Sequence, residues 1–104
     1  MFAKIDIPYE QVAEFCQRWQ ITELALFGSV LRDDFTDESD VDVLVSFAPG
    51  AKISLFTFIG AQDELSEILG RKVDLVERSA IENSRRRWAR KHILETARTI
   101  YDVR

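Results

Sequence analysis

Cysteine and histidine are almost absent: the 104-residue chain has one of each, Cys16 and His92. A single cysteine rules out a disulfide framework within the chain and fits a reducing, cytoplasmic setting. A single histidine in a charged, helical stretch makes a poor metal site, so His92 is expected at the surface. Long apolar runs are missing too. No stretch reaches the length of a membrane-crossing helix, and the opening Met1-Phe2-Ala3-Lys4-Ile5-Asp6 lacks the apolar core of a secretory signal. Repeats, linkers and low-complexity segments are absent. Neither sign of charge dominates: 14 Lys and Arg stand against 18 Asp and Glu, a net charge of −4. That mildly acidic balance argues against nucleic acid as a partner over the whole surface. With 46% hydrophobic and 31% charged residues, the composition is that of a folded domain. Residues 1–104 are expected to form one domain with one core.

What charge there is lies in two blocks. Asp33, Asp34, Asp37, Glu38, Asp40 and Asp42 make an acidic segment in mid-chain, and Arg85, Arg86, Arg87, Arg90 and Lys91 make a basic one near the C-terminus. The basic run reads as a solvated helix face or as a dock for an acidic partner surface or phosphate. It is too short, in an acidic chain, to indicate DNA binding by itself.

Hydrophobic periodicity predicts an alternation of helices and strands. Pro8–Trp19 carries Val12, Phe15, Cys16 and Trp19 on one helical stripe, which makes Cys16 a core residue. Glu23–Phe27 reads as a strand leading into the turn Gly28-Ser29, a short helix through about Arg32 and the acidic loop. Val41–Phe47 is a second strand, closed by Ala48-Pro49-Gly50. Leu55–Leu69 is a long helix with Leu55, Phe58, Ile59, Leu65 and Leu69 on its apolar side and Gly70 at its end. Phe56 and Phe58 cannot both face inward, and whichever points out would mark a contact between copies of the chain. Lys72–Val76 is a third strand, and residues from about Ser84 to Tyr101 form a last helix. Trp19 and Trp88 are expected to pack rather than to stack on a base. The whole is an α/β (α+β) fold, a small mixed sheet of about three strands with helices on one face.

Three short features carry chemistry. Gly28-Ser29 follows an apolar strand and opens a helix, where a tight turn, free N–H groups and a hydroxyl favour an anion such as phosphate. A plain turn explains the same two residues. Asp40 and Asp42 are two apart at a strand start, so both carboxylates share a face, with Cα atoms roughly 6.5 Å apart. Val41, Val43 and Val45 then turn into the core. Paired like charges call for a cation, and Mg²⁺ takes oxygen ligands from carboxylates and phosphates. The alternative is a solvated strand end. Asp74, inside Val73-Asp74-Leu75-Val76, is costly if buried unpaired; it either sits at a sheet edge or joins Asp40 and Asp42. Three carboxylates together can hold two metals roughly 3.5–4 Å apart, the spacing of in-line phosphoryl chemistry.

Taken together, Phe27-Gly28-Ser29-Val30-Leu31-Arg32, Ser39-Asp40-Val41-Asp42-Val43-Leu44-Val45 and Gly70-Arg71-Lys72-Val73-Asp74-Leu75-Val76 resemble the signature of the DNA polymerase beta-like nucleotidyltransferase superfamily. Within it the chain is most similar to the minimal nucleotidyltransferase (MNT) family of prokaryotes, along nearly its whole length. Asp33 stands where many members carry glycine after the arginine. The resemblance implies a polymerase beta-like nucleotidyltransferase fold, a nucleoside triphosphate substrate (ATP), and two Mg²⁺ ions held by Asp40, Asp42 and Asp74 as the catalytic and metal-binding residues. It implies that Gly28 and Ser29 cradle the phosphates, while Arg32 steadies phosphate or acceptor or pairs with nearby acids. It further implies an antitoxin that transfers AMP to a tyrosine of a HEPN-domain toxin, as in a type VII toxin–antitoxin system. Two other readings stay open: a non-catalytic antitoxin that neutralises by binding, and a small-molecule nucleotidyltransferase of the antibiotic-modifying kind.

Overall fold

In the computed structural model, residues 5–32, 35, 36 and 38–103 are described. Asp33, Asp34 and Asp37 of the acidic loop lie outside them, as do residues 1–4 and Arg104, so the expectations that rest on Asp33 and on the first residues are not addressed further. The elements in chain order are helix α1 (Tyr9–Arg18), strand β1 (Ile21–Phe27), a one-turn 3₁₀ helix (Gly28–Leu31), strand β2 (Val41–Phe47), helix α2 (Leu55–Leu69), strand β3 (Val73–Glu77), helices α3 (Arg78–Glu82) and α4 (Arg87–Thr96), and strand β4 (Arg98–Asp102). The sheet order is β3-β2-β1-β4. β1 runs antiparallel to both β2 and β4, whereas β2 and β3 run parallel and are joined by α2, because parallel neighbours need a long crossover.

The sheet has four strands rather than three. The expected last helix ends at Thr96, and Arg98–Asp102 pairs with β1 instead. Thr99, Ile100 and Tyr101 are β-branched or aromatic, types that lose rotamer freedom in a helix and pack well on a pleated surface. Only Ile100 of this strand is buried, and it joins the core from a strand paired with β1 rather than from the helical stripe that Ile93, Ala97 and Ile100 suggest in sequence.

The core lies on one face of the sheet. Val41, Val43 and Val45 of β2 meet Leu24 and Leu26 of β1, Val73 and Leu75 of β3 and Ile100 of β4. Val12, Phe15 and Cys16 of α1 and Ala61, Leu65 and Leu69 of α2 close over them. Burial pushes the Cys16 thiol up to about 12, so it is an inert packing residue. Trp19 packs beside Phe15, with ring centroids 6.2 Å apart. Ser54 caps α2 by accepting from the Thr57 N–H at 3.1 Å, and Gly70 ends it in the left-handed region at φ 69°. Within α2, Phe58 turns toward the core and Phe56 is 89% exposed. Leu55 and Ile59 are exposed too, because the buried stripe runs through Phe58, Ala61, Leu65 and Leu69 and passes them by.

The second face of the sheet is covered only in part, which differs from the expected arrangement with helices on a single face. α3 lies against β2 and β3, and Arg78 reaches across to Glu23 of β1 with Nη1 3.3 Å from Oε1. Beneath it Leu44 and Ala25 are buried outside the main core. The Asp42 end of the same face is left open. No helix among the described residues is long and apolar enough to cross a membrane. Because Leu65 is fully buried between α2 and the sheet, Leu65→Ala is expected to cost about 2–5 kcal/mol in urea unfolding. Leu55→Ala on the same helix should leave the midpoint nearly unchanged.

Candidate active site

The open end of the sheet gathers residues from four separated segments. In β2, alternate residues point to opposite faces, so the burial of Val41, Val43 and Val45 turns Asp42 outward to the open face. β3 repeats the pattern: Val73 and Leu75 are buried and Asp74 is exposed. The parallel register pairs Asp42 directly with Asp74, which sets their Cα atoms about 4.8 Å apart, the spacing of neighbouring strands. On its other side Asp42 pairs with Phe27, the last residue of β1. Asp40 immediately precedes β2 and is exposed.

Gly28 completes this arrangement. Its φ is 77°, a conformation that side chains with a Cβ rarely adopt. A Cβ at this position would collide with Oδ2 of Asp42 and lie 3.3 Å from its Cγ. The backbone of the turn therefore rests against the carboxylate, and only glycine allows that approach. Ser29 follows in the 3₁₀ turn, where its carbonyl accepts from the Arg32 N–H at 2.9 Å.

The electrostatics of Asp42 report its surroundings. Burial raises its pKa above the ordinary carboxylate value, and the neighbouring charges of Asp74 and then Asp40 raise it further, while Arg32 pulls it down. The three acids and Arg32 thus share one electrostatic neighbourhood. Among the described residues no three His, Cys, Asp or Glu side chains converge closely enough to hold a metal ion by themselves. The donor set still fits Mg²⁺, which typically takes one or two carboxylates and completes its shell with water and substrate phosphates. An oxygen-only site with crowded negative charge suits such an ion and disfavours a thiolate- or imidazole-seeking one.

A cleft of about 550 Å³ opens here. Phe27, Gly28, Leu31, Arg32 and Asp42 form one wall, and His92, Ile93, Glu95, Thr96 and Arg98 form the other. Of the residues singled out in the sequence, Gly28, Arg32 and Asp42 line the cleft directly. Asp74 and Asp40 flank Asp42 without lining it, and Ser29 sits within the turn. The second wall, supplied by α4 and the first residue of β4, was not foreseen. His92 is exposed, as expected, but it faces this cleft. Its position depends on where α4 folds back over the sheet, and no local sequence signal carries that. Arg71 was also missed as a positioning group. Its guanidinium lies 4.5 Å from the Phe35 ring centroid and donates from Nη2 to the carbonyls of Thr36 at 2.7 Å and Ser39 at 3.4 Å. It ties the loop that precedes Asp40 to the entry of β3. Trp88 is 75% exposed, contrary to the expectation that it packs; α4 has no buried residue and so offers no apolar seat for the indole.

The sequence matches the family described as nucleotidyltransferase domain over residues 9–101. The chain belongs to the nucleotidyltransferase domain family. A protein of Methanocaldococcus jannaschii, provisionally named a protein adenylyltransferase, is 39% identical over 67 residues, 64% of this chain and 66% of that protein. The protein adenylyltransferase MntA of Thermococcus cleftensis is 37% identical over 70 residues, 67% of this chain and 69% of that one. The chain thus aligns with about two thirds of the length of these relatives. Among solved structures, a provisionally named minimal nucleotidyltransferase superimposes with a TM-score of 0.65 at 30% identity, over 86% of this chain and 85% of that one. The MNT antitoxin complex with a tri-AMPylated HEPN toxin from Shewanella oneidensis superimposes with a TM-score of 0.59 at 14% identity, over 91% of this chain and 70% of that chain. The fold of this nucleotidyltransferase is accordingly the minimal one of the family, with a four-stranded mixed sheet.

Two outcomes follow from the packing of Gly28 on Asp42. Gly28→Ala is expected to lower the thermal midpoint, since it combines left-handed strain of about 1–2 kcal/mol with displacement of the carboxylate. Adding Asp42→Ala should restore part of the loss, and a double-mutant cycle in urea reads that coupling. Asp42→Asn alone should raise the midpoint at neutral pH, because it removes a charge that folding buries beside like charges. A carboxyl whose folded pKa is raised costs stability only where it is ionised. The gain should therefore fade as the pH falls through the carboxylate range, which thermal melts at a series of pH values will show.

Proposed function

We propose that the chain is a Mg²⁺-dependent protein adenylyltransferase, transferring AMP from ATP to a tyrosine hydroxyl of a HEPN-domain toxin and so acting as a cytoplasmic antitoxin. The observation that carries this reading is the glycine turn pressed against Asp42, in register with Asp74. This arrangement places a glycine turn and a cleft of about 550 Å³ beside paired carboxylates. The names of the similar proteins, protein adenylyltransferase among them, support AMP as the group transferred, and the MNT complex with an AMPylated HEPN toxin supports the partner.

In this reading Asp40, Asp42 and Asp74 hold the metal, and Mg²⁺, when bound, neutralises charge on the triphosphate. The backbone N–H groups of Gly28 and Ser29, at the start of the 3₁₀ turn, bind the β- and γ-phosphates. Arg32, on the cleft wall, steadies phosphate. Asp74, the more open of the paired carboxylates, accepts the proton of the acceptor hydroxyl. The freed oxygen attacks the α-phosphorus, the bond to the β-phosphate breaks, and pyrophosphate leaves. Positioning and charge compensation carry most of the rate.

Incubating the chain with labelled ATP, Mg²⁺ and a HEPN-domain partner is expected to add the mass of AMP to the partner. Asp42→Asn should reduce that transfer by about 10²–10³-fold, the loss typical of removing one preorganised charge-stabilising group, with the protein still folded by circular dichroism. Neutralisation of the toxin that survives Asp42→Asn would instead mark a binding-only antitoxin. Transfer to a small hydroxyl compound and never to protein would mark a small-molecule enzyme.

A further inference from the structure

In the basic run Arg90 donates from Nη1 to the Glu82 carbonyl at 3.2 Å, while the side chains of the other four cations have no such tie among the described residues. Arg85, Arg86, Arg87 and Lys91 are exposed, and none of them forms an ion pair among the described residues, although the chain carries 18 acidic residues. Their placement works against the helix they belong to. α4 begins at Arg87, its N-cap is Arg86, its first turn holds no acid, and no side chain caps it. Cations at that end oppose the helix dipole, which favours anions there. The cluster therefore answers to something outside the chain.

Trp88 lies among these cations and is 75% exposed. An exposed tryptophan that follows three arginines in the chain has the composition of an interface hot spot rather than of a solvated helix face. Its position along α4 relates it to the cleft. Trp88 and His92 are four residues apart and follow one stripe of the helix, and His92 lines the same cleft as Asp42. Trp88 thus lies one helical turn from His92, a residue of the cleft wall, with the unpaired cations close to it in the chain.

We propose that the N-terminal half of α4, Trp88 with Arg85, Arg86, Arg87 and Lys91, is the docking surface for an acidic segment of the acceptor protein, which it guides to the cleft. The proposal rests on the reading of the chain as an enzyme with a protein acceptor. The charges favour protein over nucleic acid. A net charge of −4, with carboxylates concentrated at the neighbouring sheet end, repels a polyphosphate chain that must pass close by. A short acidic peptide engages only the basic helix and the indole.

The direct test is binding to the intact chain without ATP, at low ionic strength, with two probes: a random glutamate–tyrosine copolymer and poly(U). Trp88 emission is the readout, and Trp88→Phe identifies it against Trp19. The acidic copolymer is expected to bind saturably and at least tenfold more tightly than poly(U). Reversing the charges with R85E/R86E/R87E should weaken copolymer binding at least tenfold, and Trp88→Ala alone should weaken it severalfold. Affinity for a non-hydrolysable ATP analogue should stay the same in both variants. No copolymer binding, equal or tighter binding of poly(U), or unchanged copolymer binding in the charge-reversed chain would overturn the proposal. So would a parallel loss of nucleotide affinity, which would assign the run to the triphosphate. Because binding is read without turnover, a chain that docks the copolymer yet never transfers AMP would defeat the enzymatic reading while leaving the surface in place.

Discussion

The contact between the Gly28 backbone and the Asp42 carboxylate fixes the geometry on which the rest of the site depends. Asp42 is held in the middle of the sheet, between β1 and β3, so it cannot retreat from the turn without breaking strand pairing on both sides. The turn cannot retreat either, since it is continuous with β1 and leads into Val30, which is fully buried. Two rigid elements thus press a bare peptide against an ionised group. The cost is an Asp42 whose charged form is disfavoured by burial and by two like neighbours. In the proposed function a bound cation would offset both. The carboxylate crowded by Asp74 and Asp40 is also the one that a bound cation would stabilise, a familiar pattern in which folding stability is lower at the site of chemistry.

Around this contact the two faces of the sheet have divided roles. The face under α1 and α2 is a continuous apolar core and supplies the stability. The opposite face is half covered: α3 seals Leu44 and Ala25, and the remainder lies between the carboxylates and α4. Alternation along β2 performs the division with three valines inward and Asp42 outward. A one-residue slip of that strand would exchange the core for the site.

The site was legible in the sequence to the extent that it is local. Gly28-Ser29 after an apolar strand, Asp40 and Asp42 two apart, and Asp74 inside a short apolar strand stand out by spacing, but each alone also fits a plainer reading, and Asp74 joins Asp42 only because β3 pairs beside β2. The fourth strand was not legible. Residues 98–102 make a short segment at the end of a helical pattern, and their pairing with β1 is a tertiary event that outweighs the local preference. The same limit hid the second wall of the cleft and the role of Arg71, which acts on Phe35, Thr36 and Ser39 from far along the chain. Trp88 shows the opposite failure. Aromatic residues are packed so often that the bland expectation was reasonable, and only the absence of any buried position on α4 removes it.

The parallel pairing of β2 with β3 also bears on how the molecule comes into being. Asp42 and Asp74 are neighbours in space only after α2 has crossed the sheet and docked, a closure that pairing of the antiparallel β1 and β2 does not require. A growing polypeptide that has released β1, β2 and α2 from the ribosome already owns the glycine turn and two of its acids but lacks the third. If the proposed function holds, competence for metal and nucleotide would arise only with β3, after α2 has crossed the sheet.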